Sequence, residues 1–310
     1  MKKVNYLFLA AAALMLAACN NDENEMTTGP VAARITAGID ALQTRTYDAT
    51  WENGDAIGIT TITDASTTKT QYDNIEYTTT GDGRFTSTTP IYFQDMEAVT
   101  FSAYYPFSGT SGTAAGTISK TITAYDQSAG SQKNIDYMFA TGATASKTNP
   151  DVKFTNDGST DARFKHKMAK LTFNFKAGDD IDLTGMSDFT VSGLKMDGTF
   201  NTATGEATAT ATATAQDLTI TETPVDANTH TRSLIVFPQD KPDNFRLTIT
   251  VDGETYAANF TLPNSATTID ASKEYTFNVT VNKTAISVSS ATIKPWDDGG
   301  TTDNITAEME

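Results

Sequence analysis

The sequence predicts an all-β protein, on three observations. Thr, Val, Ile, Phe and Tyr recur in short runs, the residue types that suit a pleated, half-buried surface. Gly, Asn and Asp punctuate those runs, as turn residues do between short strands. No segment repeats apolar residues at i, i+3, i+4 and i+7 for three turns, so any helix should be a single turn. Strands at this spacing with connections this short are the pattern of a β-sandwich. At 310 residues the chain suits one large or two ordinary domains, with two preferred on size.

The first stretch is a leader. Lys2 and Lys3 precede an apolar run from Tyr6 to Leu16, followed by Leu16-Ala17-Ala18-Cys19, the layout of a bacterial secretory signal with small residues at the cut. The run is too short to span a bilayer comfortably. Cys19 is the sole cysteine and stands where a lipoprotein signal peptidase needs a thiol for diacylglycerol. Residues 1–18 are therefore expected to be a lipoprotein signal peptide and Cys19 a lipidated anchor to the outer membrane. Residues 19–30 form an acidic polar tether that cannot bury itself, and acids directly after the cysteine resemble a surface-export signal.

Residues 31–160 are expected to form an N-terminal β-sandwich domain. Val31 to Ile39 alternates loosely and makes a first strand, followed by a polar break in which Arg45 sits within Gln43-Thr44-Arg45-Thr46, as in an exposed loop. Trp51 to Ile59 is a turn leading into a strand, its Asn53-Gly54-Asp55 core tolerating positive φ. Gln71 to Thr79 and Arg84-Phe85-Thr86 flank Gly81-Asp82-Gly83 as a hairpin. Ile91 to Phe93, Val99 to Pro106 and Ile118 to Ala124 are further strands. Ile135 to Ala140 is a compact apolar piece, and Thr141 to Pro150 reads as a linker.

The turn-rich interval Asn156 to Arg163 marks the boundary, with residues 161–310 as the C-terminal β-sandwich domain. From Lys167 the chain alternates, Met168, Lys170, Thr172 and Asn174 against Ala169, Leu171, Phe173 and Phe175, one face in and one face out. Later strands are expected at 189–196, 218–223, 233–237, 245–251, 255–262, 275–281 and 286–293. The Ala-Thr repeat from Glu206 to Ala215 reads as a plain strand or a decorating loop.

The formal charge of -16 becomes -18 once Lys2 and Lys3 leave with the leader, and no basic patch exists, so nucleic acid is excluded as a partner. With no second cysteine there is no disulfide framework. His166 and His230 lack neighbouring acids at ligand spacing, so no zinc site and no cofactor are expected. The motifs of serine hydrolases, phosphate loops and zinc proteases are missing. Asp179-Asp180 with Asp182, and Asp297-Asp298 with Asp303, do not follow the spacing of a calcium loop. No enzyme activity is expected.

In order along the chain, the lipobox at Cys19, Thr44-Arg45-Thr46 with Trp51 to Ile59, Ala103-Tyr104-Tyr105-Pro106, Asp136 to Ala140, Phe164 to Leu171 and Ala291 to Trp296 resemble the fimbrillin family. These are the Mfa-like and FimA-like lipoproteins of type V pili on Gram-negative surfaces. The resemblance implies two tandem transthyretin-like β-sandwich domains and a fimbrial subunit or pilus accessory protein for cell adhesion. It implies assembly by donor-strand exchange with other fimbrial subunits. An arginine-specific protease would cut between Arg45 and Thr46 and remove the strand within Val31 to Ile39, and a neighbour's strand would fill the groove. Arg34 is the weaker cut site because it lies inside that strand. The donor strand would be 286–293, carrying Ile286, Val288 and Ile293. A host or bacterial surface receptor is a further implied partner. The rival readings are a non-polymerising lipoprotein that binds surface glycans through Trp51, Tyr104, Tyr105 or Trp296, and a carbohydrate-active enzyme with two facing carboxylates.

Overall fold

The computed structural model describes residues 29–40 and 50–296. The fold is all-β, and its only helical pieces among the described residues are single 3-10 turns such as Tyr125–Gln127 and Gln132–Asn134. Buried side chains form two hydrophobic clusters. The first core is drawn from residues between Ala33 and Phe164, and the second from Met168 onward together with Tyr104, Ile122, Ile135, Tyr137 and Phe139.

The first core lies against an eight-stranded sheet in the order Asp151–Phe154, Arg34–Ala37, Arg84–Thr86, Ile75–Thr80, Asn53–Thr61, Val99–Tyr105, Met138–Ala145 and Lys165–His166. All neighbours are antiparallel except the first two, which are parallel. The hairpin at Gly81-Asp82-Gly83 forms as its glycines predict, with φ of +99° at Gly81 and +76° at Gly83, a region glycine enters without steric cost. Thr141–Ala145 is strand and not linker. The small polar residues there hid a strand that pairs along Val99–Tyr105 and bulges at Gly142, where the register skips from Phe101↔Ala143 to Ser102↔Thr141.

The second core lies between two four-stranded sheets. One runs Thr229–Val236, Ala169–Ala177, Lys273–Asn282, Ala285–Pro295, and the other runs Ala215–Thr221, Met186–Lys195, Arg246–Val251, Glu254–Asn259. Facing phenylalanines fill the space between them, with Phe173 at 5.1 Å from Phe277 and Phe260 at 4.9 Å from Phe277, ring separations typical of favourable aromatic pairs. The Ala-Thr repeat splits into the strand Glu206–Ala209 and a turn before Ala215.

Two features departed from local pattern. Ala169–Ala177 is buried on both faces, because it is a central strand and the two 3-10 turns cover the side carrying Lys170 and Thr172 near its start. There Gln127 and Gln132 donate side-chain hydrogen bonds to the carbonyls of Ile235 and Ser233, both at 2.7 Å. The excursion Thr117–Tyr137 also packs with the second core. Thr117–Thr121 pairs antiparallel with Asp197–Asn201, and Tyr137 stacks on Phe200 at 4.8 Å.

Candidate functional site

The first strand is clamped on both edges. Arg34–Ala37 pairs parallel with Asp151–Phe154 and antiparallel with Arg84–Thr86, while Val31–Ala32 pairs with Tyr92–Phe93. Ala33, Ile35 and Ala37 point into the core and are buried, as period-two alternation requires. The backbone N–H groups of Ala33, Arg34, Ala37 and Gly38 donate to the carbonyls of Ile91, Pro150, Gly83 and Phe154 at 2.8 to 2.9 Å. Around this strand stand Trp51, Tyr77, Phe85, Val152, Phe154 and Phe164, all buried.

Trp51 ties the strand to the chain beyond the polar break. Its Nε1–H donates to the Ala37 carbonyl at 2.8 Å, and its ring meets Phe85 and Phe164 edge-on, each at 5.1 Å. Asp40 is held by its N–H to the Phe164 carbonyl at 2.8 Å and by Arg163 at 2.5 Å. Arg34 faces solvent and pairs with Asp151 at 2.5 Å, a contact that holds the Asp151 carboxyl below its usual range. An exposed pair of this kind contributes little to stability.

The last strand is held on one edge. Among the described residues Ala285–Pro295 pairs only with Lys273–Asn282 and borders its sheet. The register passes from Thr276↔Thr292 to Phe277↔Ser290, leaving Ala291 as a bulge. A bulge inserts one residue and so exchanges the faces beyond it. Ile286, Val288 and Ile293 therefore all pack on the second core, Ile286 fully buried and the other two half-buried, although simple alternation puts Ile293 opposite the others. At its end Trp296 stacks on His166 at 4.1 Å.

A cavity of about 340 Å³ lies where the two cores meet, lined among others by Trp51, Asp55, Tyr105, Lys133, Asp136 and Arg232. Its charges are matched. Lys133 bonds Glu52 at 2.8 Å and lies 3.7 Å from Asp55, Tyr105 donates to Asp55 at 3.1 Å, and Arg232 meets Glu222 at 3.2 Å. Burial, with Asp55 beside it, pushes the Tyr105 phenol upward. The Lys133 contacts bridge the bodies, and the pairs present no nucleophile beside a base, the pairing that acyl-transfer chemistry needs.

The profile described as fimbrillin-like matches residues 44–296. This chain belongs to the fimbrillin-like family. A curated relative with the provisional name fimbrium subunit Fim1C, from Bacteroides uniformis, is 32% identical across 96% of this fimbrillin and 97% of its own length. A crystal structure from Bacteroides ovatus, provisionally described as a cell adhesion protein, has 30% identity and a TM-score of 0.73, covering 86% of this chain and 98% of its own. A second, from Bacteroides uniformis and described the same way, has 29% identity and a TM-score of 0.65, covering 86% and 99%. Membership sets this fimbrillin among the adhesion subunits of cell-surface fimbriae, which are not enzymes.

Cys19, Arg45 and Thr46 lie outside the described residues. Ile286, Val288 and Ile293 come together on one face of the last strand, remote in sequence from the first-strand slot. The aromatic residues weighed as sugar platforms are in the core: Trp51, Tyr104, Tyr105 and Trp296 are all buried. Both histidines face an acid in space, His166 with Asp136 at 2.8 Å and His230 with Glu222 at 3.1 Å, partners that sequence spacing did not suggest. Among the described residues no group of three or more His, Cys, Asp or Glu gathers at metal-binding distance, and no helix is long and apolar enough to cross a membrane.

Sequence reasoning missed Asp151–Phe154, the parallel partner of the first strand. Its signal was present: after Pro150, Val152 and Phe154 alternate with Asp151 and Lys153, a half-buried strand in miniature.

Proposed function

We propose that this fimbrillin is a surface-anchored fimbrial subunit or accessory protein whose first strand is removed by proteolysis and replaced by a strand from another subunit. Cys19 carries the lipid that anchors it to the outer membrane, an arginine-specific protease cuts between Arg45 and Thr46, and the residues up to Arg45 leave. The single observation that carries this reading is the place of Arg34–Ala37 between a parallel and an antiparallel partner. Taking out an interior strand opens two ladders at once and uncovers an apolar trench of Tyr77, Phe85, Val152 and Phe154. Each buried backbone group left unpaired costs about 1–3 kcal/mol, and burying Ile35 alone is worth about 2 kcal/mol. An incoming strand restores both contributions, in either direction, because one wall of the slot then pairs with it in parallel and the other antiparallel.

The donor is the last strand, with Ile286, Val288 and Ile293 as the side chains that enter the neighbour's slot. Its edge position supports the role, since releasing it breaks one ladder instead of two. The residues after Trp296 either extend the donor or trail from it. The partners are further fimbrial subunits, the protease and a receptor on a host or bacterial surface.

The test is the N-terminal mass of protein recovered from cells, before and after limited treatment with an arginine-specific protease. A product that begins at Thr46 and then forms an SDS-resistant ladder supports the proposal. A chain that stays diacylated at Cys19, resists cutting and remains monomeric refutes strand-donated polymerisation.

A further inference from the structure

The eight-stranded sheet has two ends. At one, Tyr105 pairs with Met138 and Ile39 bridges to Phe164, and this end meets the second core through the cavity. At the other, the strands turn through residues 62–74, 94–98 and 146–150. Hydrogen bonds tie these far turns together. Asp95 accepts from the Thr68 hydroxyl at 2.8 Å and the Lys69 N–H at 2.5 Å, Gln94 N–H donates to the Thr70 hydroxyl at 2.9 Å, and Tyr92 N–H donates to the Tyr72 hydroxyl at 3.2 Å. Ile62 N–H donates to the Thr100 carbonyl at 2.9 Å, just past the second turn.

Among the described residues the exposed large apolar side chains are Ile62, Tyr92, Met96, Tyr125 and Val225. The first three, at 49%, 37% and 52% exposure, all belong to this far end. A single exposed apolar side chain is ordinary, whereas a group at one end calls for a partner.

The path of the chain identifies that partner. Val31 pairs with Phe93 and Ala32 with Tyr92, antiparallel, so the described chain begins, at Gly29, at this end of the sheet. Cys19 lies twelve positions before Val31, and a chain of that length reaches at most about 40 Å however it is arranged. A lipid on Cys19 therefore keeps this end within reach of the bilayer, while Trp296 sits at the opposite end against His166.

We infer that Ile62, Tyr92 and Met96 form a face that rests on the lipid bilayer in the anchored, uncut protein, an inference that depends on lipidation at Cys19. Met96 and Ile62 enter the boundary between headgroups and acyl chains, and Tyr92 places its ring there with its hydroxyl toward water. Asp64, Asp73, Asp95 and Glu97 outnumber Lys69 and Lys147 in the same turns, so the face prefers zwitterionic to anionic lipid. Docking sets the first sheet upright on the membrane, with the second core outermost.

The test uses the full-length lipidated protein with Met96→Cys. Its thiol is the only free one, because Cys19 is the sole native cysteine and is capped by lipid. A fluorophore is attached there, and the protein is placed in phosphatidylcholine vesicles containing nitroxide-labelled lipid. Quenching should exceed by at least about threefold that of the same label at Val225→Cys, a site 97% exposed on the second body, and should fall when phosphatidylglycerol is added. Intact mass is read on the same sample. A lipidated mass with equal quenching at both positions overturns this inference and leaves anchoring intact. A mass without lipid at Cys19 overturns the anchoring reading and this inference with it.

Discussion

The first and last strands of this fimbrillin are held in opposite ways. Arg34–Ala37 is short, interior and paired on both edges, with Trp51 donating to its Ala37 carbonyl from across the polar break. Ala285–Pro295 is long, lies at a sheet border and is paired on one edge through a bulged register. The difference separates two kinds of stability. An interior strand leaves only when the sheet opens around it, whereas an edge strand can fray by local unfolding with the rest intact. A subunit that gives one strand and loses another needs both: a lost strand whose absence creates strong demand, and a donated strand that detaches at low cost.

The largest test of that contrast is a buried charge at the same kind of position in each strand. Ile35→Asp should lower stability by about 4 kcal/mol, since it places a carboxylate between two ladders. Val288→Asp, half-buried at the border, should cost about 1 kcal/mol. Urea unfolding followed by tryptophan fluorescence measures both, and equal losses would break the comparison. Next comes Ile286→Ala, expected to cost about 2–3 kcal/mol, with lost hydrogen-exchange protection confined to the last strand and Lys273–Asn282. Spread of that loss into Asp151–Phe154 would show that the border strand is not an independent unit.

Deleting Ala291 removes the extra residue and leaves Ile293 opposite Tyr275 on the core face of an unbulged ladder, so stability should change by less than about 1 kcal/mol. Amide exchange from Thr292 to Pro295 should stay as slow as in the parent chain, and a rise confined to those residues would show that the bulge itself holds the end of the strand. Alkaline titration gives a smaller signal. Burial pushes the phenols of Tyr77 and Tyr137 up to about 12. Because the folded values lie above the ordinary one near 10, their contribution to stability is whole below pH of about 10 and declines as pH rises through about 12. Tyr77 borders the slot and Tyr137 does not. Protein cut after Arg45 should therefore show the Tyr77 phenolate appearing nearer its ordinary range, with Tyr137 unchanged, as read by phenolate absorbance in the Tyr77→Phe and Tyr137→Phe variants.

The smallest effect is at Arg163, which bonds Asp161 and holds that carboxyl down to about 2 while also pairing with Asp40. A depressed carboxylate stabilises the fold above its unfolded value near 4 and loses that contribution as pH falls through about 2. Arg163→Ala should return Asp161 to the ordinary range in a carboxyl NMR titration. The Asp161 pair being largely solvated, the stability change should stay under about 1 kcal/mol.

Much of the fold was legible because β structure writes itself in short range. Phe189, Val191, Leu247 and Ile249 announce their strands by alternation, and the glycines at 81 and 83 announce their hairpin. Thr141–Ala145 was lost to its small polar side chains, which carry no period strong enough to separate strand from linker. For the candidate site, the sequence located the first strand and the three apolar residues of the last one. It did not reveal that Asp151–Phe154 is the other wall of the slot, since parallel neighbours far apart in the chain leave no joint mark in either segment.

What the sequence by itself determined is the all-β class, the places of most strands and turns, and the family, all of which rest on local residue choice and order. Only the tertiary structure decided which strands lie side by side. It joined Thr117–Thr121 to Asp197–Asn201 on the second core, set Arg34–Ala37 between opposed neighbours, and placed bulges at Gly142 and Ala291. The physical reason is that a period of two fixes which residues share a face, whereas register and the insertion of one extra residue are set by the partner strand, which lies elsewhere in the chain.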